Sequence, residues 1–295
     1  MIKQTIMFQN PASLSLRNSQ LVIHIKELDQ EVTRPIEDIG VVVIENQMVK
    51  MTIPLLNAFA DNNVAVILCD DHAMPKSMLM PLDSNSTLQE TYRFQIDASP
   101  VIKKRAWKQI IESKIKNQSK LLDILGEDGS VLKPYYMNVK SGDTDNREGA
   151  SSRVYWGALF GREFRRERDG SPPNNLLNYG YSILRAAVAR ALLGSGLYPA
   201  FGIFHRNRYN AFPLADDMME PYRPFVDEIV YHLYYDGAID ELTKDTKFEL
   251  QRVLFADVKM QDKTRPLEIA LSMTTASLTK LFKGETDSLV LPSFI

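Results

Sequence analysis

Two acidic residues in the last third of the chain, Asp217 and Glu220, are three positions apart. If the segment is helical, this spacing places both carboxylates on one face, where like charges repel unless a cation or a basic group compensates them. A histidine, His205, ends an apolar stretch about a dozen residues earlier and is followed by Arg206 and Arg208. Carboxylate, imidazole and guanidinium groups are the side chains that bind metal ions and phosphates.

A third acidic residue, Glu148, falls in the first turn of a predicted helix. Two or three carboxylates and one imidazole suit Mg²⁺ or Mn²⁺, and such an ion polarises a phosphodiester and lowers the pKa of a bound hydroxyl. Simpler interpretations remain open. In these, Glu148 is a helix-end charge favoured by the dipole, His205 is a hydrogen-bonded structural residue, and the acidic pair is a solvated turn.

The distribution of charge along the chain favours a polyanionic partner. The whole sequence has 35 basic and 37 acidic residues, a net charge of −2. Residues 101–210 contain 19 basic and 10 acidic residues, a net charge of +9, whereas residues 1–100 and 211–295 have net charges of −5 and −6. The basic segment is where DNA would be contacted. The candidates for phosphate contact are Lys103, Lys104, Arg105, Lys108, Arg162, Arg165, Arg166, Arg168, Arg206 and Arg208.

The sequence argues against several other chemistries. Gly194-Ser195-Gly196 lacks the Gly-x-Ser-x-Gly frame of a nucleophile elbow, and the chain has no phosphate-binding loop, dinucleotide fingerprint or His-Glu-x-x-His motif. The single cysteine, Cys69, excludes a disulfide scaffold and is expected in the core. Because no apolar run is long enough to span a bilayer and no secretory signal is evident, we expect a cytoplasmic protein without a membrane partner.

The elements that must position these residues change in type along the chain. Residues 13–25 alternate around an Arg-Asn-Ser turn and predict a β-hairpin. Residues 40–44 and 64–68 are short apolar runs typical of buried strands, and a short helix is predicted at 54–60. Residues 81–86 are rich in turn-forming side chains and predict a linker.

From about residue 88 onward the apolar spacing is helical. Residues 106–125 repeat apolar side chains at helical spacing, with lysines on the other face. Asp145 or Asn146 can cap a helix that we expect to run to about Arg168, and residues 176–193 predict another, ended by Gly194-Ser195-Gly196. Further helices are predicted at 226–235, 246–253 and 267–281.

Four ordered motifs resemble those of a known family, the CRISPR-associated endonuclease/integrase of the spacer-acquisition complex. They are Glu-Gly-Ala through Tyr-Trp at 148–156, Asn-Leu-Leu-Asn-Tyr-Gly-Tyr at 175–181, Gly-Ile-Phe-His at 202–205, and Leu-Ala-Asp-Asp-Met-Met-Glu-Pro-Tyr-Arg-Pro at 214–224. Their order and spacing fit, and the layout covers nearly the whole chain. The second and fourth look most like members from type II systems.

The resemblance implies an α+β fold in two domains. Residues 1–85 would form a small β-rich domain for dimerisation, and residues 86–295 a larger α-helical catalytic domain. It also implies a homodimer, with two such dimers bracketing a dimer of a small ferredoxin-like partner protein. The complex would bind double-stranded DNA, both the prespacer fragment and the CRISPR repeat.

Carried over by motif, the resemblance implies that Glu148, His205 and Glu220 bind Mg²⁺ or Mn²⁺, with Asp217 as an adjacent acid in the catalytic set. Many relatives have Asp at the position of Glu220. Because the Glu side chain is one methylene longer, its carboxylate would reach the ion from a slightly different position. The implied reaction is transesterification, in which a 3′-hydroxyl of the incoming fragment attacks a phosphodiester at the border of a repeat. The candidates for phosphate positioning near the site are Asn178, Tyr181 and Arg208.

Two alternatives remain open from the sequence. One is a stand-alone metal-dependent nuclease in DNA repair or processing, since the same site would use water in place of a DNA 3′-end. The other is a DNA-binding scaffold subunit without catalytic activity, which would use only the basic segment.

Overall fold

The computed structural model describes residues 3–25, 30–79, 81, 86–167, 170, 172–237 and 242–295. The chain divides into two compact units, Met1–Ser86 and Thr87–Ile295. Residues 82–85 of the predicted linker, and Arg168, lie outside the described residues.

The first unit is built mainly of strands in two four-stranded sheets. One sheet has the order β1-β5-β7-β8, in which β1, β5 and β7 are parallel, and the other has the order β4-β3-β2-β6. Its elements are β1 (Gln4–Phe8), β2 (Ser13–Arg17), β3 (Gln20–Ile25), β4 (Gln30–Pro35), β5 (Ile39–Ile44), β6 (Lys50–Met51), α1 (Ile53–Asp61), β7 (Ala65–Cys69) and β8 (Pro75–Leu79).

The predicted hairpin and buried strands of this unit are confirmed. Strands β2 and β3 pair antiparallel with Arg17 opposite Gln20, and the two residues between them, Asn18 and Ser19, have φ values of 51° and 59°. Two left-handed residues match the twist of the flanking strands, which explains the tight turn. All of β5 is buried. Cys69 is 8% exposed at the end of β7, in agreement with its predicted place in the core.

The second unit is mainly helical. It also contains a small antiparallel sheet of order β10-β9-β11, which the sequence analysis did not predict. Its elements are α2 (Leu88–Asp97), α3 (Pro100–Ile124), α4 (Lys133–Tyr136), α5 (Arg147–Phe160), α6 (Asn174–Gly194), α7 (Pro213–Met219), α8 (Arg223–Tyr235), α9 (Lys244–Gln251), β9 (Asp257–Met260), β10 (Lys263–Pro266), α10 (Leu267–Phe282) and β11 (Pro292–Ser293).

Helix α3 packs against several other elements of this unit. It packs against α4, α5, α7 and α8 and against a 3₁₀ turn at residues 220–222. Its Asn117 side chain is 2% exposed, and Nδ2 donates to the carbonyl oxygens of Pro221 at 2.8 Å and Pro292 at 3.1 Å. One buried amide therefore ties α3 both to the 220–222 turn and to β11.

The α+β class is confirmed, and so are the helices predicted near residues 54–60, 176–193, 226–235 and 267–281. The predicted end of α5 at about Arg168 is wrong. The helix ends at Phe160, because Gly161 follows with φ 91°, a conformation that terminates helices. No helix in the described part of the chain combines the length and apolarity needed to cross a bilayer.

Candidate active site

Glu148 is held at the start of α5 by two neighbouring side chains. Asn146 has a left-handed backbone (φ 52°), and its Oδ1 accepts from the amide of Gly149 at 3.1 Å. The carboxylate of Asp143 accepts from the amides of Arg147 at 2.8 Å and Glu148 at 3.1 Å. These bonds satisfy the free amides of the first helical turn and fix the position of Glu148.

Glu220 begins the 3₁₀ turn that follows α7 and is 5% exposed. Its Oε1 accepts from Arg223 Nε at 2.9 Å, and the same guanidinium lies over the Tyr181 ring, 4.5 Å from its centroid. Burial acts to raise the pKa of Glu220, but the positive charges of Arg223 and Lys114 outweigh it and lower this pKa to about 2. The carboxylate is therefore ionised at neutral pH.

Lys114, on the inner face of α3, connects the two glutamates. Its Nζ lies 2.5 Å from Glu148 Oε1 and 2.6 Å from Glu220 Oε2, and the residue is only 6% exposed. The contact with Glu220 is a buried ion pair. Burial acts to lower the pKa of Lys114, but the carboxylates of Glu220 and Glu148 outweigh it and the pKa is raised.

Asp217 is fully buried and holds the loop that carries His205. Its Oδ2 accepts from the amides of Ile203 at 2.6 Å and Phe204 at 3.0 Å. Its Oδ1 accepts from the amide of His205 at 3.2 Å and lies 2.7 Å from the ring Nδ1. That hydrogen bond raises the pKa of His205, against the effect of its partial burial.

The His205 loop is also fixed by aromatic packing against α3. Trp107 and Phe204 are stacked with ring centroids 4.3 Å apart, and the His205 ring meets Trp107 edge-on at 5.7 Å. With Nδ1 bonded to Asp217, Nε2 is the nitrogen left to bind a ligand.

A further buried acidic group lies near Tyr181 and Arg223. Asp227, on α8, accepts from Tyr155 at 2.7 Å and from Tyr181. Burial raises the pKa of Asp227 to about 6, against the lowering effect of those two hydrogen bonds. Arg166 lies 5.3 Å from the Tyr181 ring centroid and donates to Asn178 Oδ1 at 2.8 Å.

One cleft of about 800 Å³ in the helical unit is lined by both glutamates and by Asp227, but not by His205 or Asp217. Six basic residues and three aromatic rings share its walls with the acids. They are Lys114, Arg153, Arg162, Arg165, Arg166 and Arg223, together with Trp156, Phe164 and Tyr181. The acids Glu148, Glu167, Glu220 and Asp227 also line the cleft.

The other predicted basic residues within the described ranges do not line this cleft. Lys103, Lys104 and Arg206 line a smaller hollow of about 320 Å³ beside Trp107 and Phe204. The other three pair with nearby groups on the surface. Arg105 pairs with Asp287, Lys108 lies 3.7 Å from Glu112, and Arg208 stacks over the Tyr209 ring.

The structure brings Glu148 and Glu220 together around the Lys114 ammonium. The pair Asp217 and Glu220 is not a solvated turn, because both side chains are buried. Sequence reasoning missed Lys114 and Arg223, the two cations that pair with Glu220. Lys114 is four residues after Ile110 and three after Ile111, so its helical position already pointed to the buried face.

The donor chemistry fits Mg²⁺ or Mn²⁺. The observation that supports the fit is that two carboxylates converge on a single buried cation. Within the described ranges, no three His, Cys, Asp or Glu side chains are close enough to hold a metal ion as they stand. Lys114 lies between the two glutamates, and His205 is not among the residues that line the cleft.

The profile of the family described as "CRISPR associated protein Cas1" matches residues 5–267. A CRISPR-associated endonuclease Cas1 from Neisseria meningitidis serogroup C is 38% identical over 261 residues, which is 88% of this chain and 85% of the relative.

Two solved structures share the fold. A casposase bound to an integration product has a TM-score of 0.78 at 21% identity, covering 98% of this chain and 93% of that one. A Cas6–RT–Cas1–Cas2 complex has a TM-score of 0.73 at 19% identity, covering 97% of this chain and 35% of that one. Since the family profile spans most of the sequence and the meningococcal relative is so similar along it, the chain belongs to the Cas1 family of CRISPR-associated proteins, as the four motifs predicted.

Proposed function

We propose that this protein is a metal-dependent DNA integrase that joins short DNA fragments to a CRISPR repeat. The observation that carries the proposal is the convergence of Glu148 and Glu220 on one buried cation position, in a cleft lined by arginines and aromatic rings. Two carboxylates that bind one cation are the ligands expected for a divalent ion in phosphoryl transfer. The arginines are expected to bind the phosphates of a polyanionic substrate. The casposase likeness agrees with it in fold.

Glu148, Glu220 and Nε2 of His205 would hold the ion, Mg²⁺ or Mn²⁺. The bound ion would supply Lewis-acid stabilisation of the charge that develops on the attacked phosphate. Asp217 fixes the ring orientation and the tautomer of His205 through Nδ1. Arg223 keeps Glu220 ionised and in place, and Arg166, held by Asn178, presents a guanidinium to the phosphate backbone.

In the proposed step, the 3′-oxygen of the fragment loses its proton and bonds to phosphorus. The bond from phosphorus to the departing 3′-oxygen of the repeat strand breaks, and that oxygen takes up a proton. One phosphodiester replaces another, so the reaction needs no nucleotide cofactor. A second such attack at the far end of the repeat would complete insertion.

The test is a joining assay with a fragment bearing 3′-hydroxyl ends and a plasmid that contains the repeat. We expect joined products in Mg²⁺ or Mn²⁺ and their loss in Glu148→Gln, His205→Ala and Glu220→Gln. Cleavage fragments without joined products would instead favour the second candidate, a hydrolytic nuclease, which the name of the meningococcal relative supports. Joining that persists in all three variants would contradict the assigned site.

We also propose that the protein acts as a homodimer through its β-rich unit and that two dimers bracket a dimer of a small ferredoxin-like partner. Support comes from the likeness to a chain of a Cas1–Cas2 complex. Light scattering of the chain, alone and mixed with the partner, measures both stoichiometries. A monomer at micromolar concentration, or no mass gain with the partner, would contradict this assembly.

A further inference from the structure

Lys114 has no role in the proposed function so far, although it makes the shortest contacts with both glutamates. Its ammonium lies 2.5 Å from Glu148 Oε1 and 2.6 Å from Glu220 Oε2. The residue is 6% exposed, and it is held in the middle of α3. A buried lysine carries a large desolvation cost unless carboxylates compensate it, so its placement is specific to this pair.

We propose that Lys114 is the internal counter-ion of the metal site, which holds Glu148 and Glu220 together in the metal-free protein and is displaced when the metal binds. The proposal rests on the proposed function and deepens it.

Charge balance supports displacement. Lys114 and Arg223 carry two positive charges, and Glu148 and Glu220 carry two negative charges, so the metal-free cluster is neutral. A divalent ion placed between the glutamates would add two positive charges within a few ångströms of the ammonium. Repulsion at this distance, with little water to screen it, makes joint occupancy unfavourable.

Geometry supports displacement as well. The glutamate oxygens that Lys114 contacts are the ones that a metal between the two side chains would need, while Arg223 occupies the other oxygen of Glu220. A position for the displaced ammonium is present one turn further along α3. Gln118 is 2% exposed, lines the same cleft, and its Oε1 accepts no hydrogen bond.

The counter-ion explains why the two acids are already gathered before a metal arrives. Without it, ionised Glu148 and Glu220 would repel each other and move apart. Lys114 is therefore a positioning residue that assembles the site and at the same time competes with the metal for it.

The test measures metal binding without DNA, so that it does not depend on catalysis. Mn²⁺ is titrated calorimetrically into wild type, Lys114→Met and Lys247→Met. Lys247 is the matched control, because it is 7% exposed and contacts the Tyr179 ring at 5.6 Å from its centroid. Thermal melting of each protein with and without MnCl₂ gives a second readout.

We expect Lys114→Met to bind Mn²⁺ at least tenfold more tightly than wild type, and Lys247→Met to bind within twofold of wild type. Metal-free Lys114→Met should melt at a lower temperature than metal-free wild type. Addition of MnCl₂ should raise its melting temperature by more than it raises that of wild type. Lys114→Gln, which also removes the charge, should show the same changes and serves if Lys114→Met does not fold.

An affinity for Mn²⁺ that is unchanged or weaker in the Lys114 variants would overturn the proposal. Glu148→Gln separates this failure from failure of the proposed function. If wild type binds Mn²⁺ through Glu148 and the Lys114 variants bind equally well, only the counter-ion role is wrong. If neither wild type nor the Lys114 variants bind Mn²⁺, both the counter-ion role and the metal dependence are wrong.

Discussion

Asp217 Oδ1 accepts a hydrogen bond from the backbone amide of His205 at 3.2 Å and lies 2.7 Å from the ring Nδ1 of the same residue. One carboxylate oxygen therefore positions both the main chain and the imidazole of His205. The other oxygen accepts from the two preceding amides, so the whole loop depends on a single buried acid.

Replacing Asp217 with Ala should therefore affect both stability and activity. Three buried or partly buried amides and one ring nitrogen lose their acceptor, so we expect the free energy of unfolding to fall by about 3 kcal/mol. His205→Ala should also abolish joining. Its free energy of unfolding should fall by less than about 1 kcal/mol, because 41% of the side chain is exposed. Urea unfolding and the joining assay compare the two, and equal stability losses would contradict this separation.

Gly202 precedes the same loop and leaves no space for a side chain. A Cβ there would lie 2.6 Å from the carbonyl oxygen of His205 and 3.2 Å from Asp217 Oδ2. We expect Gly202→Ala to lower the melting temperature by several degrees and to reduce joining, because the loop must shift. Gly157→Ala is a control for stability only, because Gly157 lines the cleft: no atom lies within 4 Å of its added Cβ, and in mid-helix it should be neutral or slightly stabilising.

Asp227 should make stability depend on pH in a defined window. Burial raises its pKa from 3.8 to about 6 in the folded protein. Between about pH 4 and 6 the folded protein keeps a proton on Asp227 that the unfolded chain releases. The stabilisation that comes from this difference is therefore complete at low pH and is lost as the pH rises through this range. The loss is at most about 3 kcal/mol.

The measurement is urea unfolding of wild type and Asp227→Asn from pH 4.5 to pH 7.5. Asparagine does not ionise, so the difference in unfolding free energy between the two proteins should change across this range and level off above it. A difference that is independent of pH would show that Asp227 titrates with an ordinary pKa.

The arginines of the cleft should contribute to DNA affinity more than those outside it. We expect Arg162→Ala to weaken DNA binding several-fold at low salt and to reduce the slope of log K against log salt by about 1, because one phosphate contact is lost. Arg105→Ala should change the slope little, since Arg105 pairs with Asp287 away from the cleft. Binding isotherms between 50 mM and 200 mM salt distinguish the two, and equal slopes in both variants would count against this assignment.

Short sequence patterns predicted the turns and helix ends that neighbouring residues determine. The hairpin at Asn18 and Ser19 follows from turn chemistry, and the end of α6 follows from the Gly-Ser-Gly segment, where Gly196 has φ 76°. The predicted end of α5 at about Arg168 is wrong, because the helix stops at Gly161, a glycine signal of the same kind.

The site was predicted only in part, because its cations come from other segments. The motifs pointed to Glu148, His205 and Glu220, but no local pattern connects them with Lys114, which belongs to a helix of its own. The spacing of Lys114 from Ile110 and Ile111 points to the buried face of α3, and the packing of α3 against α5 and the 220–222 turn shows that the lysine is buried there. Burial of a charged residue is a tertiary property, which apolar periodicity alone does not settle.

The amide of Asn117 has a consequence for the order of folding. It joins Pro221 across 104 residues of sequence and Pro292 across 175 residues. Contacts that close such long loops cost the most chain entropy and form after local helices are in place. The candidate site should therefore be among the last parts of the helical unit to assemble, and refolding followed by a probe near Asn117 should lag behind the recovery of helical circular dichroism.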